Sequence, residues 1–307
     1  MATFGKATFN AAKYATSRPT YPRVLYDFVF KFHERVNGAR WETAVDIGCG
    51  TGQATVELTP FQRIIGVDPS ARMIEQAREG VKSRLAGLDL SSRVEFVQAS
   101  AEDLPVEQGS VDLIVAAQAC HWFNWNKVWP EVARALRKDG TFAAWGYSEF
   151  RLSRFPSATP LINDYAQGSD PSDSLGTYWE RPGRTILDEH LVAVPDPREA
   201  LPGQFSEFER IYFTGSHYPD LAGARPVILR KSLTWTELLG YFRTWSPLHT
   251  FHEKHPEDLE RPEGDIAVRF WRKLKEEVGR VEGKEVPKDE DIVDIEWPMA
   301  LLLARKA

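Results

Sequence analysis

Five residues within a short stretch could do chemistry together. Asp46, Gly48, Gly50 and Gly52 lie in "VDIGCGTG" (45–52), and Asp68 ends "IIGVD" (64–68). A glycine turn between a buried strand and a helix lets backbone approach a ligand closely and aims amide N–H groups at it. Asp46 stands just ahead of the turn, where a carboxylate repels a pyrophosphate and attracts an ammonium group. Asp68 ends the next strand, where a carboxylate can accept hydrogen bonds from both hydroxyls of a ribose.

Three ligands demand this much bare backbone: a nucleoside triphosphate, a nicotinamide dinucleotide and S-adenosylmethionine. A triphosphate cradle needs a lysine and a hydroxyl residue at the end of the loop, but Gln53 follows Gly52. The dinucleotide fingerprint is G-x-G-x-x-G, whereas this chain has G-x-G-x-G. An adenosine bearing an amino-acid tail and a sulfonium suits the two carboxylates better. "QASAEDLP" (98–105) then places Glu102 and Asp103 after a third strand, where a side chain and a backbone amide can read an adenine edge. Taken alone, Asp103 would cap a turn before Pro105; beside Asp46 and Asp68 the ligand reading is preferred.

These residues need a scaffold of alternating strands and helices. Residues 22–37 carry a helical apolar stripe (Val24, Leu25, Phe28, Val29, Phe32) begun by Pro22 and stopped by Gly38. Strands are expected at 44–47, 64–68, 94–99, 111–119 and 141–147, and helices at 52–59, 70–86 (capped by Ser70) and 125–138. The alternation means a doubly wound α/β fold, with a parallel sheet covered on both faces. Residues 151–204, rich in Pro, Ser, Gly and Asp, read as an insertion or lid. Structure resumes with a strand at 208–215, and Thr234 with Glu237 makes a capping box for the next helix. A helix follows near 264–278, then a last strand with Pro298 as a bulge. The expected organisation is an N-terminal lid arm and helix (1–40), a ligand-binding core (41–150), and an insertion plus closing strands of the same domain (151–307).

"YATSRPTYP", "AQACHWFNW", "LRKDGTFAAWGY", "LGTYWERPGR" and "LLGYFRTWS", together with the glycine loop, make the chain resemble the class I S-adenosylmethionine-dependent methyltransferases. In these segments it looks like the fungal trans-aconitate methyltransferase group and its small-molecule relatives. The resemblance runs from about residue 4 to the C-terminus. It implies a Rossmann-like, mostly parallel seven-stranded sheet with a helical lid elaboration and S-adenosylmethionine over the first strands. It also implies that Tyr14 lies near the sulfonium and Arg18 near the cofactor carboxylate. Pro69, Met73, Ala101, Gln118 and the loop residue Cys49 would complete the cofactor surface. The Cys49 side chain is read as packing, not as a nucleophile.

Acceptor-side residues are expected in three places. Tyr21 precedes the first helix; His121 and Trp122 follow the fourth strand, where open parallel sheets present substrate-facing groups. His121 is assigned to lining or orientation, with general-base catalysis as the alternative. "GTYWERPGR" and "YFRTWS" join Arg184 and Arg243 to Tyr178, Trp179 and Trp245, donors and walls for a small polycarboxylate; structural salt bridges are the equal alternative. His249, His252 and His255 lack the frame of a zinc site and read as a solvated segment, so no metal is expected.

Composition bounds the partners. A hydrophobic fraction of 42%, a charged fraction of 27% and a net charge of −6 describe an ordinary globular protein without a broad nucleic-acid surface. Two cysteines and the absence of a leader or membrane-spanning run point to a reduced cytoplasmic setting. Monomer and dimer both remain open. The expected reaction is O-methylation of a carboxylate on a small molecule, giving a methyl ester and S-adenosylhomocysteine. The alternatives are methylation of a hydroxyl or carbon of a secondary metabolite, and a non-catalytic S-adenosylmethionine-binding module; a nicotinamide oxidoreductase is a more distant rival.

Overall fold

A computed structural model of the chain describes residues 19–84 and 92–307. Tyr14 and Arg18 lie outside the described residues. The chain forms two compact units, one containing Thr20–Tyr147, Thr185–Ile228 and Met299–Ala307, the other Ser148–Arg184 and Leu229–Pro298.

The first unit is built on a seven-stranded sheet. Its strands are β1 (Thr43–Ile47), β2 (Arg63–Asp68), β3 (Val94–Gln98), β4 (Val111–Ala117), β5 (Leu136–Tyr147), β7 (Phe205–Phe213) and β10 (Met299–Lys306). Their order is β3-β2-β1-β4-β5-β10-β7, with β10 antiparallel to both neighbours and the β3-to-β5 pairs parallel. The α/β, Rossmann-like, mostly parallel seven-stranded sheet is as expected. Ala44, Val45 and Ile47 on β1 and the apolar run Leu113–Ala116 on β4 are fully buried, as strands covered on both faces must be. The strand order reverses between β1 and β4, which opens a crevice at their carboxyl ends. This unit's helices are α1 (Arg23–His33), α2 (Ala71–Arg84), α3 (Trp125–Ala135) and the short α6 (Pro197–Ala200); α5 (Gly183–Asp188) begins in the other unit and ends in this one.

Three local expectations change. Residues 52–59 form one 3-10 turn, Thr55–Glu57, in place of a helix. Thr55 is hydrogen-bonded back to β1, Leu58 and Phe61 are drawn fully into the core, and Pro60 disfavours helical backbone at Thr59. The helix expected to reach 138 ends at Ala135, because Leu136 already pairs with Val111. The expected single closing strand is two, β9 (Ile292–Trp297) and β10, in different sheets. Pro298 has no N–H with which to continue a ladder, so the pairing breaks there.

The second unit carries an antiparallel sheet ordered β6-β9-β8, with β6 at Arg151–Leu152 and β8 at Leu229–Thr234. Its helices are α4 (Thr159–Gln167), α7 (Trp235–Phe242), α8 (Ser246–Lys254) and α9 (Ile266–Glu282). The Thr234–Glu237 capping box is present in both directions. The core is aromatic: Tyr165 stacks on Phe270 at 3.9 Å, and Trp245 packs against Phe150, Tyr165, Tyr241 and Phe242. Trp271 and Trp297 bury their rings and satisfy their N–H groups on Trp235 O and Tyr241 Oη. Such tryptophans are framework. The segment read as a lid is folded and divided, residues 151–184 belonging to this unit and 185–204 to the first.

Candidate functional site

The glycine loop leaves β1 with Gly48, Gly50 and Gly52 all at positive φ, +70°, +54° and +78°. Two of these glycines answer to packing. A Cβ on Gly48 would lie 2.5 Å from Ala119 Cβ, and one on Gly52 would lie 2.9 Å from the Phe96 ring. Gly50 is different: a Cβ there would meet no heavy atom within 4 Å, so the loop offers bare backbone to open space at this one position. The Gly50 N–H donates to Asp68 Oδ2 at 3.0 Å, which ties the loop to the end of β2. Cys49 turns its thiol into a cluster with Ile74, Ala77, Val81 and Phe96, and burial pushes its pKa well up.

Asp46 and Asp68 end neighbouring parallel strands. Asp68 Oδ1 accepts from Ser70 N at 2.8 Å; burial raises its pKa and the Ser70 and Gly50 amides oppose the rise. Asp46 is wholly buried. Its Oδ2 accepts from Thr55 Oγ1 at 2.6 Å, while Oδ1 has no hydrogen-bond partner. Desolvation raises its pKa to about 7, assisted by the charge of Asp68 and resisted by Thr55. Two buried carboxylates, one with an unsatisfied oxygen, make a site that favours a cation.

Around them, Pro69 is exposed and its carbonyl accepts from Gln98 Nε2 at 3.0 Å. Met73 is buried at the start of α2, and Ala101 is buried after β3. Glu102 is half-buried with its N–H on Ser100 Oγ, and Asp103 forms a bridge with Ser100. This loop is held from α3: Glu131 accepts the Leu104 N–H at 2.7 Å, and Arg134 donates to the Leu104 and Val106 carbonyls. Gln118, at φ +52°, spends its side-chain amide on both backbone groups of Tyr147. Next comes the 3-10 turn Cys120–Trp122, with His121 only 7% exposed and Trp122 44% exposed, rings 4.7 Å apart. Tyr21 sets its ring edge-on to Trp145 at 5.5 Å.

In the second unit, Trp179 and Trp245 lie 5.8 Å apart and the Arg184 guanidinium sits 4.0 Å above the Trp179 ring. Arg184 is paired with buried Glu149, which also accepts from Gln167 at 2.7 Å. Arg243 is exposed and faces Asp265 at 3.4 Å. Both arginines therefore make salt bridges, and the structure does not join them in one fork. Tyr178 donates to Pro171 O at 2.7 Å and meets His255 Nε2 at 2.8 Å. The histidines of α8 and its C-cap are not simply solvated: His249 pairs with Glu253, His252 with Asp258 and His255 with Tyr178 and Glu257. Among the described residues no group of three or more His, Cys, Asp or Glu could hold a metal ion.

Thr55, Glu131 and Arg134 carry no motif that singles them out in the sequence. Thr55 alone left a trace, a hydroxyl nine residues past Asp46 where the turn could fold back.

A family model described as a methyltransferase domain matches residues 45–144, from the glycine loop into β5. A Saccharomyces cerevisiae protein named "Probable S-adenosylmethionine-dependent methyltransferase CRG1" is 32% identical over 304 residues, covering 97% of this chain and 96% of its own. A candidate methyltransferase of Dictyostelium discoideum is 26% identical over 95% of this chain and 92% of its own. Among solved structures, a candidate type II methyltransferase from Anaeromyxobacter dehalogenans superposes with a TM-score of 0.65 at 24% identity, covering 94% of this chain and 97% of its own, a likeness of fold. Matched to the yeast relative over nearly the whole of both chains, and carrying its glycine loop and two carboxylates at the switch point of the sheet, the chain belongs to the class I S-adenosylmethionine-dependent methyltransferases and acts on a small molecule.

Proposed function

We propose that the chain moves a methyl group from S-adenosylmethionine to a carboxylate oxygen of a small organic acid, leaving a methyl ester and S-adenosylhomocysteine. The residues of the crevice fit the cofactor on their own chemistry. Asp46 Oδ1, buried and unsatisfied, suits the ammonium group, and the bare side of Gly50 admits close approach. Asp68, with one lone pair on each oxygen already used, retains acceptor capacity for ribose hydroxyls. Glu102 and Asp103 would read the adenine edge, flanked by Pro69, Met73 and Ala101.

When bound, the cofactor supplies an electrophilic methyl on a sulfonium. The chain's task is to hold the acceptor oxygen in line behind that methyl and to exclude water. The observation that carries the carboxylate reading is the state of the nearby acids and thiols. Asp68 is committed to two amide donors, Asp46 is assigned to the cofactor's ammonium group, and burial pushes the Cys120 thiol up to about 12. Among these groups none is a ready base, and a carboxylate acceptor needs none. The resemblance to the trans-aconitate group points the same way. Arg184 and Arg243 remain candidate donors for the acid, which would share them with their carboxylate partners Glu149 and Asp265. His121 and Trp122, in the turn after β4, and Tyr21, ahead of α1, would line the acceptor side.

A second reading is favoured by His121, nearly buried beside Trp122 in the turn after β4, where an imidazole could take a proton from a hydroxyl or carbon acid. Methyl-labelled S-adenosylmethionine offered with a panel of small acids, phenols and terpenoid alcohols separates the two. Label in a base-labile ester supports the carboxylate reading; label only at hydroxyl or carbon positions overturns it in favour of the second.

A further inference from the structure

Asp46 precedes the glycine loop, Thr55 follows it, and one hydrogen bond joins their side chains. Both residues are wholly buried, and Thr55 Oγ1 donates to Asp46 Oδ2 at 2.6 Å. An O–H···O bond of this length suits a charged acceptor, about 2.5–2.7 Å against about 2.7–2.8 Å between neutral groups. The loop itself is shaped by main-chain bonds. The Gly48 and Cys49 N–H groups donate to Val67 O at 2.7 and 3.0 Å, and the Gly52 N–H donates to Cys49 O at 2.9 Å. A valine, nearly the shape of threonine, would fill the same space. The buried hydroxyl therefore needs a reason. Its effect on Asp46 is specific: Oδ2 is spent on Thr55, and the oxygen left over is Oδ1, which no donor meets.

We propose that Thr55 is a positioning residue for the amino-acid end of the cofactor: its hydroxyl holds Asp46 Oδ2, so that Oδ1, charged and unspent, meets the ammonium group. The inference rests on the reading of Asp46 as the ammonium partner. A donor on a carboxylate favours the ionised form. Thr55 works against burial and the charge of Asp68 on β2, and its backbone N–H pulls the same way as its hydroxyl. The balance leaves the Asp46 pKa at about 7, where the loss of one donor tells in the neutral range. The other titratable groups around Asp46 are the Cys49 thiol in the loop and the Tyr26 phenol on α1, with Glu57 acting on that phenol. Burial, first among the causes, keeps both the thiol and the phenol neutral. Without the Thr55 hydroxyl, Asp46 takes up its proton at higher pH, and the neutral acid holds an ammonium poorly.

The test is S-adenosylhomocysteine binding by calorimetry between about pH 6 and 8.5, where the acid limb of the affinity reports protonation of Asp46. Thr55→Val removes the hydroxyl and keeps the bulk. Its acid limb should move up by about one pH unit, with affinity reduced on the order of 5-fold near pH 7 and restored to within about 2-fold at the alkaline end. Proton release on binding near pH 7, read from buffers of different ionisation heat, should rise with it. Thr55→Ser keeps the hydroxyl and should leave the limb where the wild type has it, whatever it costs in stability. If Thr55→Val fails to fold, Thr55→Ala against Thr55→Ser isolates the hydroxyl with the methyl absent from both. A limb unmoved by loss of the hydroxyl, a limb moved equally by Thr55→Ser, or a loss of affinity equal at every pH overturns the proposal and leaves Thr55 a packing residue. If Asp46→Asn binds as the wild type does, the underlying reading of Asp46 fails instead, a result distinguishable from the first.

Discussion

Gln118 and Tyr147 are joined by a reciprocal pair of hydrogen bonds, the Tyr147 N–H donating to Oε1 at 2.8 Å and Nε2 donating to the Tyr147 carbonyl at 3.1 Å. With the Gln118 N–H on Trp145 O at 2.8 Å, the β4–β5 ladder continues past the end of β4 with a side chain in place of backbone. The turn that presents His121 and Trp122 starts from this clasp. Gln118→Ala should lower the unfolding free energy by about 2–3 kcal/mol, the cost of two lost bonds with buried partners, as read from urea unfolding.

The glycines of the loop should divide by cause. Gly48→Ala would push a methyl to 2.5 Å from Ala119 Cβ at a positive φ, and should cost several kcal/mol, roughly 2–4, of stability. Gly50→Ala meets nothing, so its cost should stay near the conformational term of about 1 kcal/mol. It should nonetheless weaken S-adenosylhomocysteine binding on the order of 10-fold or more. Thermal melts and calorimetry on the two variants separate folding from binding; equal melting temperatures would contradict the assignment.

Asp46 carries a conflict between stability and binding. Its pKa in the folded chain, about 7, lies above the ordinary carboxylate range it has when unfolded. The folded state therefore binds the proton more tightly, and stability falls as pH rises from about 4 to 7 and stays low above that. Asparagine is free of this loss. Asp46→Asn should thus be more stable than wild type by about 1–3 kcal/mol at pH 8, with the difference shrinking towards pH 5, while cofactor affinity collapses. Urea unfolding of the cofactor-free proteins at the two pH values checks the sign.

Glu149 and Arg184 are both buried, so removing one leaves the other uncompensated. Arg184→Met should cost about 3–5 kcal/mol, and Glu149→Gln with Arg184→Met together should cost markedly less than the sum of the single changes. Additive effects in the double-mutant cycle would show that the pair is not coupled.

His121→Gln distinguishes alignment from proton transfer. For a carboxylate acceptor, kcat should fall by less than about 10-fold and its pH profile should keep its shape; a base for a hydroxyl would lose on the order of 100-fold or more together with the acid limb. Single-turnover rates across pH give the answer.

Local rules made much of this molecule legible. The apolar run before the glycine loop, the carboxylates at the ends of β1 and β2, the strand–helix alternation and the Thr234–Glu237 capping box all depend on residues near one another in the chain. The tertiary structure alone decided what those residues face. Pro298 parts two sheets because the strands flanking it pair with partners far away in the chain, β8 on one side and β5 and β7 on the other. Arg184 is paired because Glu149 lies beside it in the second unit, and Gln118 is a clasp because Tyr147 ends up beside it. Thr55 acquires meaning only once the turn is laid against Asp46, whose carboxylate accepts its hydroxyl. Periodicity records which side of an element is apolar; it holds no record of which distant polar atom a buried side chain will meet, and that pairing sets the charge, the donors and the chemistry of the site.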